Sequence, residues 1–124
     1  FYELSIVSLA KGAHCEAIVF AREAVAYKND LGKAYIALGD ACIACREQQG
    51  DAFMQKSVYW AAADMYQTAA LVDKALAKES SQKLAMCTAH YPSKEDIFFQ
   101  DLKVGDSFRI GGCINENTTI RSRD

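Results

Sequence analysis

Hydrophobic positions along this chain fall into five runs of helical period and one late run of period two. Apolar and small residues recur every three to four positions over 1–11, 13–28, 31–46, 55–72 and 75–90, which places them on one face of an α-helix in each run. Gly12, the segment from Asn29 to Gly32 and Asp73 break the runs, and Pro92 ends the fifth. Ser93 then stands as an N-cap before Lys94, Glu95 and Asp96, with Ile97, Phe98 and Phe99 following. This spacing predicts a short helical turn that lays the two phenylalanine rings on the preceding helices. From Asp106 the period becomes two: Phe108 and Ile110 flank Arg109, Asn115 to Asn117 punctuate, and Thr118 to Arg123 are rich in β-branched residues. Such alternation predicts a terminal β-hairpin, with Phe108, Ile110 and Ile120 packed inward over Phe98 and Phe99.

The helical runs repeat one another. Phe1, Leu4, Ser5 and Ser8 recur 34 residues later as Tyr35, Leu38, Gly39 and Cys42. Ala17, Ala21, Ala24 and Asn29 recur as Ala62, Tyr66, Ala69 and Lys74, with residues 47–57 inserted in the second copy. Small residues at Ala17, Gly39, Ala62 and Ala69 allow two helix backbones to approach, while Leu4, Tyr35, Leu38 and Tyr66 fill the adjoining gaps. The pattern resembles the tetratricopeptide repeat (TPR), although a HEAT-type helical array is also compatible with two degenerate copies. The resemblance implies a mainly α fold, a TPR-like α-solenoid of antiparallel helix pairs with a short C-terminal β-hairpin. Residues 1–92 would form the helical repeats with a capping helix, and 93–124 a short helix and hairpin packed on the solenoid. The fifth run is the expected polar cap, because Ser80 and Lys83 stand where the register calls for the equivalents of Tyr35 and Leu38.

A further set of residues carries a narrower resemblance. Gly32-Lys33-Ala34-Tyr35, Val58-Tyr59-Trp60-Ala61-Ala62 with Asp64, Tyr91-Pro92-Ser93-Lys94-Glu95-Asp96 with Phe98-Phe99, and Gly111-Gly112 with Ile114-Asn115-Glu116 and Thr118-Thr119-Ile120-Arg121 are similar to the C-terminal region of TPR proteins of Bacteroidota. The likeness covers nearly the whole chain and implies a periplasmic or envelope-associated scaffold or adaptor with no catalysis. The chain departs from it at Cys113, where that pattern carries Trp after the glycines. Because the chain starts at Phe1 in mid-pattern and without Met, the expectation is a piece of a longer protein whose earlier repeats and export signal precede it.

Charge narrows the partners. With 14 basic and 16 acidic residues interspersed, the net charge of −2 leaves no electrostatic footprint for nucleic acid and no polybasic membrane patch. The apolar stretches are too short to span a bilayer, so no membrane-spanning segment is expected. A protein or peptide ligand, and no cofactor, is the partner that a helical solenoid implies. In TPR geometry the first helix of each pair lines the concave face, which would place Tyr2, Ile6, Ile36 and Asp40 there with Lys33 and Ile43 flanking them. This mostly apolar set does not suit a Lys/Asn clamp for a C-terminal carboxylate. Either Ile6, Ile36 and Ile43 line a hydrophobic peptide groove, or further repeats or the terminal segment cover them. The insert carries a polar Gln48-Gln49-Gly50-Asp51 turn and then Phe53 and Met54, which either close a helix end or offer a binding edge. Tyr59 and Trp60 read as core anchors.

The enzymatic alternative rests on sulfur. Cys42-x-x-Cys45 and Cys87-x-x-His90 have the spacing of a dithiol pair or of two zinc half-sites. Against a dithiol, Cys42 and Cys45 fall at the C-terminal end of their helix, where the dipole disfavours thiolate. Five cysteines leave one unpaired, which argues against a disulfide framework. His14 is expected at an exposed helix start, and Asp40, Asp64 and Asp73 as solvated or capping groups. A phosphate loop, a His-Glu-x-x-His motif and a nucleophile elbow are all absent.

Overall fold

The structure, a computed structural model, describes residues 1–28 and 30–124. Asn29, one of the repeat positions and part of an expected helix break, lies outside the described residues. Gly12 turns the chain out of its first helix at a φ of +81°, a conformation that residues with a Cβ rarely adopt. The elements are α1 (Tyr2–Ala10), α2 (His14–Tyr27), α3 (Gly32–Ala44), α4 (Ala52–Val72), α5 (Ala77–His90), α6 (Lys94–Phe99), β1 (Ser107–Ile110) and β2 (Glu116–Thr119). The described chain is therefore mainly helical and closes with a small antiparallel sheet. Each helix from α1 to α4 packs on the next in sequence, α1 also reaches α3, and β2 lies on α4. Among the described residues no helix is long and apolar enough to cross a membrane.

The inserted segment is structured differently from a plain loop. Arg46–Gln49 forms a single 3-10 turn, Gly50 reverses the chain at φ +103°, and α4 begins at Ala52, earlier than the periodicity suggested. Asp51 starts the helix early because its carboxylate accepts a hydrogen bond from the Met54 N–H at 2.9 Å. Phe53 then stands edge-on to Trp60, with ring centroids 6.0 Å apart, so it covers the helix end. We expect Asp51→Ala to lower stability by about 1 kcal/mol, the usual worth of an N-cap. Urea unfolding reads this directly, and an unmoved midpoint would show that the cap contributes nothing. Asp73 likewise caps the 3-10 turn Lys74–Leu76, and Ser93 caps α6 by accepting from the Asp96 N–H at 3.1 Å, as its position in the sequence predicts.

Small residues set the closest helix crossing. A Cβ on Gly39 of α3 would sit 2.6 Å from the Cε1 of Tyr66 on α4, and one on Gly32 would meet the Leu76 side chain at 2.7 Å. Around this crossing lie two apolar clusters. One joins Ile18, Leu38, Cys42, Val58 and their alanine neighbours to Ile110 and Ile114 of the hairpin region; the other joins Trp60, Tyr66, Cys87 and Tyr91 to Ile97 and Ile120. The C-terminal segment thus supplies side chains to both.

The hairpin pairs Ser107 with Thr119, Phe108 with Thr118, Arg109 with Asn117 and Ile110 with Glu116. Period two holds: Ile110 and Thr118 are buried while Arg109 and Asn117 face solvent and bond each other at 3.2 Å. The ladder ends at Thr119, earlier than the β-branched run suggested, although Ile120 beyond it is fully buried. Phe98 and Phe99 do not lie beneath the strands. They are 77% and 72% exposed, and Ile97 is buried in their place. At about 100° of rotation per residue, three successive positions of a one-turn helix cannot all face the core. Trp60, edge-on to Phe108 at 5.4 Å, takes the role expected of those rings.

Polar contacts tie the hairpin to α4. The Trp60 indole N–H donates to the Arg121 carbonyl at 2.8 Å, and Arg121 donates back to the Trp60 carbonyl at 2.9 Å. Asp64 is not a solvated surface acid, since it accepts from the Thr118 hydroxyl at 2.6 Å and pairs with Arg121. Farther along, the Arg123 N–H bonds the Pro92 carbonyl at 2.9 Å, which lays the chain end beside the start of α6.

Candidate functional site

A cleft of about 200 Å³ opens between alternate helices. Helix α1 contributes Tyr2 and Ile6, one turn apart; α3 contributes Lys33, Ile36, Ala37 and Asp40, the i, i+3, i+4, i+7 stripe of a single helix face; α5 adds Glu79. Five of the six residues singled out from the sequence therefore meet. Ile43, the sixth, does not line the cleft and packs half-buried against the second core cluster. Ile36 is only 7% exposed and belongs chiefly to the core, whereas Ile6 is 42% exposed and stands free on α1. Lys33 and Glu79 are exposed and take part in none of the ion pairs among the described residues.

Asp40 is committed elsewhere. Its Oδ1 accepts from the Tyr66 hydroxyl at 2.6 Å and from the Lys83 ammonium at 3.0 Å, and that ammonium lies 5.4 Å from the Tyr66 ring centroid. Burial, and after it the bond to Asp40, pushes the Tyr66 phenol well above its ordinary range, so it remains a neutral donor. Asp40 therefore borders the cleft while its carboxylate locks α3 to α4 and α5; it is a partly exposed tether and not a cap. The Asp40–Lys83 side chains are about a third and a quarter exposed, so the ion pair itself adds little beyond geometry.

The sulfur groups assort differently from their sequence spacing. Cys42 is sealed in the first cluster and Cys87 in the second, and burial pushes each thiol up to about 12, far from the thiolate that redox chemistry needs. His90 is exposed and stacks on Tyr59 at 4.6 Å, beside a hollow of about 210 Å³ that Arg46, Gln55 and Lys56 also line. Among the described residues, the group of sulfur, imidazole and carboxylate ligands that does converge is Cys15, Cys45 and Cys113, whose sulfurs lie within 4.8 Å of one another. Cys15 is in the first turn of α2, which begins at the half-buried His14; Cys45 caps α3, and Cys113 sits in the hairpin loop. Separations of 30 and 68 residues from Cys45 leave no local motif to find them by. The one pointer in the sequence is Cys113 itself, standing where the resembled pattern has Trp.

No protein family, curated protein or solved structure matches this chain.

Proposed function

We propose that this chain is a TPR-like interaction module, non-catalytic, that holds a peptide segment of a partner protein across α1, α3 and α5. The observation that carries the proposal is that, among the described residues, those lining the cleft come from alternate helices, α1, α3 and α5. In a solenoid of helix pairs the first helix of each pair lines the inner surface, and α1, α3 and α5 are those helices if α1/α2 and α3/α4 are successive units. The Gly39–Tyr66 crossing supports the same register, since it puts the small residue of one helix against the large residue of its pair.

Size supports a peptide ligand over a small molecule. Pockets for drug-sized ligands and cofactors run to about 300–1,000 Å³, whereas this cleft measures about 200 Å³. It suits one large apolar side chain seated on Ile36 between Tyr2 and Ile6, with Lys33 and Glu79 reading charged neighbours in the bound segment. The periplasmic or envelope location implied by the Bacteroidota resemblance belongs to the same proposal.

Peptides selected from a random displayed library against the parent chain provide the test. Ile6→Asp should weaken their binding at least about fivefold, the equivalent of about 1 kcal/mol, and Lys33→Glu should reverse the preference for flanking charge. Both residues are exposed, so circular dichroism should be unchanged; Ile36→Asp would instead disrupt the core. Peptides that bind both variants as well as the parent would exclude the cleft.

A further inference from the structure

We propose that Cys15, Cys45 and Cys113 hold a zinc ion as three thiolates, with the amide oxygen of Gln48 at the fourth position. The sulfur of Cys45 lies 3.9 Å from that of Cys15 and 3.8 Å from that of Cys113. A tetrahedron with zinc–sulfur bonds of about 2.3 Å has sulfur–sulfur edges of about 3.8 Å, so both separations already match a shared metal. Gln48 Oε1 lies 3.3 Å from the Cys15 sulfur and 3.8 Å from the Cys113 sulfur, which sets an oxygen donor against the same cluster. A mixed sulfur and oxygen set suits zinc better than copper(I), which prefers sulfur alone.

The surroundings hold this geometry in place. Three separate segments bring the sulfurs: the first turn of α2, the C-cap of α3 and the loop between the strands. That loop is fastened on both sides. Gln49, the neighbour of Gln48, donates to the Gly111 carbonyl at 3.4 Å, while Arg22 donates to the carbonyls of Cys113, at 3.4 Å, and Ile114. A Cβ on Gly112 would meet the Gln49 amide nitrogen at 3.1 Å, and the residue has a φ of +64°, so the loop sits tightly on the turn that carries Gln48. The Arg22 guanidinium that holds this loop is itself fixed by Glu116 at 2.9 Å, which ties the second strand to α2 beside the cluster.

Binding forms three zinc–sulfur bonds and releases three thiol protons to solvent; no electrons move and no oxidant is required. The ion would clip the hairpin loop to α2 and α3, a structural role separate from the peptide cleft. The competing fate of sulfurs this close is a disulfide between two of them, which would leave the third free.

Cobalt(II) added without oxygen to the reduced chain is the probe. The expected result is one cobalt per chain with thiolate charge-transfer absorption, displaced by zinc. Cys15→Ser and Cys113→Ser, at half-buried positions, should each weaken loading by at least about tenfold with an unchanged circular dichroism spectrum. Cys87→Ala should load as the parent does. Absence of the charge-transfer band, loading that survives both serine variants, or binding of copper(I) but not zinc would overturn the proposal. So would a disulfide among the three cysteines by mass spectrometry together with failure of the reduced chain to take cobalt.

Discussion

Gly39→Leu should lower the stability of this protein by roughly 3 kcal/mol, the upper end of what forcing a large side chain into a filled core typically costs. The Cβ alone would lie 2.6 Å from Tyr66 Cε1 and 2.9 Å from its Cζ, well inside van der Waals contact. Tyr66 has nowhere to retreat: it is fully buried, its hydroxyl is bonded to Asp40, and Lys83 lies over its ring. Relief requires α3 and α4 to part, which breaks the Asp40 bond and disturbs one wall of the cleft. Urea unfolding of Gly39→Ala and Gly39→Leu should give a graded series, with alanine intermediate. Midpoints equal to the parent for both would show that α3 and α4 are not held at the separation described.

The second large effect is expected from ending the chain after Pro92. The truncation removes Ile97, Ile110, Ile114 and Ile120, all buried, and so opens both core clusters at once. Losing the side chain of a buried isoleucine costs about 2–5 kcal/mol, so four together cost about 8 kcal/mol or more. A small domain has about 5–15 kcal/mol in total. Trp60 also loses the Arg121 carbonyl that receives its N–H, and Asp64 loses both Arg121 and Thr118. The expected product lacks a cooperative thermal transition and aggregates. A truncated chain that remains monomeric and melts with the parent would make residues 93–124 an appendage.

Several features were readable without tertiary information because their causes are local. Ser93 as a cap, Gly12 as a break and the alternation of Phe108, Arg109 and Ile110 each depend on a few neighbouring residues. The sequence marked Gly39 as a small residue that lets helices approach and Tyr66 as a large one that fills a gap; that the two meet each other is seen only in the structure. Five of the residues that the sequence reading grouped together line one cleft. Ile43 does not, because one more turn along α3 carries it past the cleft and onto the second cluster. Phe98 and Phe99 misled for a related reason: hydrophobicity marked three consecutive positions, and rotation about a short helix admitted only Ile97 to the core.

By itself, then, the sequence determined the helical and strand periods, the breaks and caps, and which small residues allow helices to approach, all of which follow from steric and hydrogen-bonding preferences within a few residues. Tertiary structure alone decided what distant side chains do. It made Asp64 the anchor of the hairpin and not a surface charge, and it tied Asp40 to Tyr66 and Lys83. It also separated Cys42 and Cys87, whose local spacing looked chemical, and brought together Cys15, Cys45 and Cys113, whose spacing did not. The physical reason is that a ligand set or a buried ion pair depends on where helix ends and loops meet in space, and those meetings are set by the packing of the whole core rather than by intervals along the chain.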